Sequence, residues 1–65
     1  MKIMVNDEAH DVRATTLAAL VEELGYGGAR IATALNGGFI PLARRGETAL
    51  HEGARIEIVA PMQGG

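Results

Sequence analysis

Few residues of this 65-residue chain are of a type that does chemistry. It has no cysteine and no serine, so the two usual nucleophiles are missing, and Lys2 is its only lysine. His10 and His51 are far apart, and neither sits in a spacing that makes a metal pair, so both read as surface histidines. Glu22 and Glu23 are consecutive and do not converge on one point of a helix, which makes them a solvated face. The run Gly25-Tyr26-Gly27-Gly28 follows a helical pattern and precedes a strand pattern. A phosphate-cradling loop needs the reverse order, so this run is a connector.

What remains is the ending, Ala60-Pro61-Met62-Gln63-Gly64-Gly65. Pro61 cannot extend a strand ladder and turns the chain away from it. Two glycines without Cβ atoms can thread a narrow channel and let a second protein's backbone come close. A terminal carboxylate is a poor acyl donor until a nucleotide activates it. The expectation is a flexible arm over residues 61–65. Gly65 is its reacting group, and Met62, Gln63 and Gly64 are contacts for a partner that owns the catalytic machinery.

The elements that must position this arm follow from periodicity. Met1, Ile3 and Val5 alternate with Lys2, Met4 and Asn6, the pattern of a half-buried strand. A turn at Asn6-Asp7-Glu8 returns the chain as a second strand over Ala9 to Arg13. Thr16 is the N-cap candidate of a helix whose Leu17, Leu20, Val21 and Leu24 form one apolar stripe, and Gly25 stops it. Ile31 to Leu35 is a strand, Asn36-Gly37 is a type I′ hairpin turn, and Gly38 to Ile40 pairs back. Pro41 confines that return to a short or edge strand. An irregular crossover over Leu42 to Leu50 carries Arg44 and Arg45, expected to be exposed. A tight turn at His51 to Ala54 then leads into the last strand, Arg55 to Ala60.

This order predicts an α+β fold, one domain over residues 1–65, with four to five strands in a mixed sheet crossed by one helix. The arrangement is that of the β-grasp, or ubiquitin-like, fold. In the last strand Ile56 and Ile58 point one way and Val59 the other. Val59 with Met62 is therefore the expected apolar part of a partner contact, flanked by Arg44 and Arg45.

Composition narrows the function further. Six basic against eight acidic residues leave a net charge of −2, which offers no attraction to nucleic acid or to an anionic membrane. The longest nearly apolar stretch, Leu17 to Val21, is far too short to span a bilayer. The opening Met1 to Val5 turns polar at Asn6, unlike a signal-peptide core. The absence of cysteine suits a reducing compartment, and the expectation is a cytoplasmic monomer. A chain this small buries only about 60% of its unfolded surface and has no room to enclose a substrate, which argues against a self-sufficient enzyme. Carrier, modifier and binding module are the classes left.

Several segments in order resemble one family. They are Ala34-Leu35-Asn36-Gly37 with Phe39-Ile40-Pro41, then Glu47-Thr48, Leu50-His51-Glu52-Gly53, Arg55-Ile56-Glu57-Ile58-Val59, and Pro61-Met62-Gln63-Gly64-Gly65. Over essentially the whole chain they are similar to the sulfur carrier proteins of thiamine biosynthesis, the ThiS type within the β-grasp superfamily. The resemblance implies that Gly65 is adenylated by an ATP-dependent, E1-like enzyme of the ThiF type. It is then converted to a thiocarboxylate with sulfur from a desulfurase or equivalent donor, and it delivers that sulfur to a thiazole synthase of the ThiG type. The carrier itself holds no cofactor, since ATP is used by the partner, and it catalyses nothing. The chain departs from the family pattern at Leu42, where many relatives have arginine, and at Gly38, where they have an acidic or polar residue. It departs also at Ala54, where many have aspartate. The alternatives are a carrier for another pathway, of the molybdopterin-synthase small-subunit type, a ubiquitin-like modifier, or a plain β-grasp binding module. Deleting Gly65 separates the first two, which lose all activity, from the last.

Overall fold

In the computed structural model, which describes residues 1–60, β1 (Lys2–Val5) and β2 (Glu8–Asp11) form the expected N-terminal hairpin. Its loop is two residues, Asn6 and Asp7, both at positive φ (50° and 69°). That is the backbone of a type I′ turn, whose twist matches that of the strands it joins. The second hairpin, β3 (Ala32–Leu35) and β4 (Gly38–Ile40), turns the same way at Asn36-Gly37. The last strand, β5 (Arg55–Val59), completes a five-stranded mixed sheet in the order β2-β1-β5-β3-β4. The sheet and its single helix have the β-grasp architecture anticipated above.

β5 sits in the centre, parallel to β1 and antiparallel to β3. Two turn asparagines extend its ladders. Asn6 Nδ2 donates to the Ile58 carbonyl (3.0 Å), and Ile58 N donates to Asn6 Oδ1 (2.9 Å). On the other side Asn36 N donates to the Arg55 carbonyl (2.7 Å), and Arg55 N donates to Asn36 Oδ1 (3.0 Å). Each asparagine thus tolerates positive φ and also supplies an amide that behaves like one more backbone unit.

The helix α1 (Leu17–Glu23) lies on one face of this sheet. Thr16 caps it, its Oγ1 accepting from Ala19 N (3.2 Å). At the other end Gly25 takes φ 88°, Gly25 N donates to the Glu22 carbonyl (3.1 Å) and Tyr26 N to the Val21 carbonyl (2.9 Å). This paired arrangement is a Schellman stop. Leu17 and Leu20 are fully buried against Ile3, Val5, Ile56 and Ile58, with Val12, Ala14, Leu50 and Ala54 closing the margins.

Two expectations need correction here. Glu23 is no mere solvated residue. Its carboxylate accepts from Arg13 N (3.1 Å) and Ala14 N (2.9 Å), clamping the chain that leaves β2 onto the helix end. These two N–H groups lie beyond the last ladder partner of β2, so without Glu23 they would lose their acceptor. Arg45 is not exposed. The crossover forms a 3₁₀ turn at Leu42–Glu47 that packs against α1, and it drives the Arg45 side chain inward to 6% exposure.

Substituting Glu23→Gln keeps the side-chain shape but weakens a charge-assisted clamp, with an expected stability loss on the order of 1 kcal/mol. Glu57→Gln on the open sheet face should stay within about 0.5 kcal/mol. Urea midpoints of the two variants, measured against the parent, check the difference.

Candidate functional site

The face of the sheet opposite α1 carries the candidate site. Strand alternation places Ile56 and Ile58 under the helix and Arg55, Glu57 and Val59 on the open side. Register then assigns the neighbours: Ala32 stands opposite Val59, and Ala34 stands between Glu57 on β5 and Phe39 on β4. Directly opposed residues in a sheet share a face, so Phe39, Ala34, Ala32 and Val59 form one apolar strip. Phe39 is 68% exposed and Val59 61%. The two alanines between them are too short to cover either, so the strip has two large apolar ends and a flat floor about two strand spacings, or 10 Å, across.

Its position matters as much as its polarity. Val59 is the last residue of β5, and Ala60 follows it at the sheet margin where β3 begins. The strip therefore lies beside the point from which residues 61–65 continue. Pro61, Met62, Gln63, Gly64 and Gly65 lie outside the described residues, so the expected contacts at Met62, Gln63 and Gly64 and the reacting carboxylate of Gly65 have no structural account.

The predicted companions of Val59 separate. Arg45 Nε donates to Thr33 Oγ1 (3.0 Å), and its Nη2 to the Ile31 carbonyl (2.7 Å). Thr33 pairs with Ile58 across the ladder, so it is on the helix side of the sheet, and Arg45 is there with it. Arg45 therefore leaves the expected flank of Val59; the cause is the 3₁₀ turn, which directs it under β3. Arg44 is exposed on the same turn and forms an ion pair with Glu47, three residues on. The turn that carries it packs against α1, on the side away from Val59.

Phe39 is the member of the strip that sequence reading passed over. The signal was present: after a two-residue turn, Gly38-Phe39-Ile40 must alternate, so Phe39 and Ile40 face opposite sides. What was needed to place it in the strip was the cross-strand partner, Ala34. Among the described residues no three histidine, aspartate or glutamate side chains converge as a metal site, and no helix is long and apolar enough to cross a membrane.

What the arrangement can do is bind and present. An exposed apolar strip bordered by Glu57 offers a docking surface at the root of a carboxyl-terminal segment.

Comparison with known proteins agrees with this architecture. The crystal structure of a thiamine biosynthesis protein (ThiS) from Geobacter metallireducens superposes with a TM-score of 0.84, covering 100% of both chains at 23% sequence identity. No curated protein matches the sequence. The ThiS family model matches residues 3–65, which takes in both hairpins, the helix, β5 and the terminal Gly64-Gly65. The chain belongs to the ThiS family.

Proposed function

We propose that this protein is a sulfur carrier of thiamine biosynthesis whose Gly65 carboxylate is the loading point. The observation that supports the reading is the exposed Phe39–Val59 strip at the root of the segment that ends in Gly64-Gly65, in a chain of the ThiS family. The carrier supplies the acyl group and a docking surface, and an E1-like, ThiF-type enzyme supplies the catalysis.

The steps balance as follows. A carboxylate oxygen of Gly65 attacks the α-phosphorus of ATP, and the bond to pyrophosphate breaks. The mixed anhydride so formed has AMP as a good leaving group. The outer sulfur of a desulfurase-type donor's persulfide adds to the carbonyl carbon and expels AMP, and a thiol reductant cleaves the resulting acyl disulfide by two electrons, leaving a thiocarboxylate. On a ThiG-type thiazole synthase the sulfur bonds to a carbonyl carbon of the acceptor, and the oxygen displaced there returns to the Gly65 carbonyl carbon as the C–S bond breaks. Glycine at the last two positions keeps the reacting carbon free of side-chain bulk throughout. The carrier binds no cofactor of its own in this scheme.

Intact mass spectrometry after incubation with ATP, an activating enzyme and a sulfur donor should show one oxygen replaced by one sulfur. Deletion of Gly65 should abolish the change. A full-length protein that stays unmodified beside a demonstrably active enzyme would contradict the carrier reading and favour a plain binding module.

The strip makes a second prediction. Val59→Glu and Phe39→Ser each place a polar group where the partner must exclude water, and each should slow adenylation by about tenfold or more, as loss of a central interface anchor does. Pyrophosphate exchange measures the rate, and far-UV circular dichroism should be unchanged because neither side chain belongs to the core. Normal exchange in both variants removes the strip from the interface.

A further inference from the structure

On the helix side of the sheet, the end of α1, the connector after it and the 3₁₀ turn border an open concavity of about 580 Å³. Its apolar lining includes Val21, Tyr26, Ile31 and Leu42. Leu42 is 75% exposed, the highest value among the large apolar residues that stand out from the surface. Three charged residues line the groove, Arg30 and Arg45 against Glu22. Glu22 is turned back onto the connector, its carboxylate lying where a side chain at Gly27 would have to be.

Arg45 is the unusual member. A buried guanidinium ordinarily has a carboxylate beside it, because the cost of removing the charge from water is otherwise only partly recovered. Here its two acceptors, Thr33 Oγ1 and the Ile31 carbonyl, are both neutral, and no described carboxylate pairs with it. Those bonds use Nε and one hydrogen of Nη2. No described residue accepts from Nη1, and among the described residues no fully buried side-chain nitrogen lacks a partner, so Nη1 is not wholly sealed from the surface. Arg45 is among the residues that line the groove. A guanidinium offers an end-on pair of N–H groups on Nη1 and Nη2, the fork that a carboxylate accepts in a bidentate pair.

We infer that this groove is a second docking surface, taking a partner-protein segment that presents an aspartate or glutamate between apolar side chains. The carboxylate pairs with the Nη1–Nη2 edge of Arg45, and its apolar neighbours cover Leu42 and Tyr26. The missing counter-charge and the uncovered apolar rim call for the same occupant, and neither is met within the described residues. This surface is separate from the Phe39–Val59 strip, with the sheet between them, and it stands whether or not Gly65 is loaded with sulfur.

The test is a titration of the full-length, ¹⁵N-labelled protein with a blocked tripeptide of leucine, glutamate and phenylalanine, and with its glutamine counterpart. Saturable shifts at the Arg45 side-chain Nε–H and at the amides of Tyr26, Ile31 and Leu42 are expected. The glutamine peptide should bind at least about tenfold more weakly, as loss of a charge-assisted pair requires. Leu42→Ser, an exposed change that leaves the core untouched, should weaken the glutamate peptide severalfold. The inference is overturned by equal binding of the two peptides, by shifts centred on Phe39 and Val59, or by none at millimolar peptide. An equal response to acetate assigns a free-carboxylate site, and shifts that follow protein concentration alone assign a second copy of the chain; either also overturns it.

Discussion

The pairing of the first strand with the last is the constraint on which the rest of this molecule depends. β1 and β5 run parallel, held by Met4 N to the Ala54 carbonyl and Asn6 N to the Ile56 carbonyl, both at 2.9 Å. Parallel neighbours cannot be joined by a tight turn, so everything between them is a crossover that must leave one end of the sheet and return to it. The helix fills that role and covers one face. The second hairpin closes the far side of β5, and the open face is left to present Val59 and Phe39. Because β5 is central, the segment after Ala60 starts from the best-supported strand in the sheet.

Burial divides the surface into two kinds of feature. On the open face the apolar strip exists because small residues, Ala32 and Ala34, occupy the positions between larger ones. On the helix side the groove exists because the 3₁₀ turn stands away from the connector while sending Arg45 beneath β3. Arg45 and Thr33 tie three elements together. Thr33 Oγ1 donates to the Ile40 carbonyl (2.8 Å) while accepting from Arg45, so β4, β3 and the 3₁₀ turn share one hydroxyl. That sharing explains how a cation is tolerated there. It also places a charge beneath a surface whose other lining is largely aliphatic and aromatic.

Much of the fold was legible because its signals are local. The strand alternation at Ile3 and Val5, the stripe from Leu17 to Leu24, the Thr16 cap, the Gly25 stop and the Asn36-Gly37 turn each depend on a few neighbouring residues. The opposite orientation of Val59 and Ile58 follows from the pleat alone. The misread residues depend on partners remote in sequence. Arg45 is buried only because Thr33, twelve positions earlier, offers a hydroxyl. Glu23 is a clamp only because the chain leaving β2 passes the end of α1. Phe39 joins the candidate site through Ala34, a link made by register and not by spacing.

The asparagine-extended ladder of β1 and β5 has a mechanical consequence. The N-terminal end of β1 and the C-terminal end of β5 point in opposite directions along adjacent parallel strands. Tension between the chain's two ends therefore acts along the strands, as shear. The backbone bonds between the two strands and the paired Asn6–Ile58 bonds bear the load together instead of opening one after another. A domain wired this way keeps its shape under tension applied between its two ends.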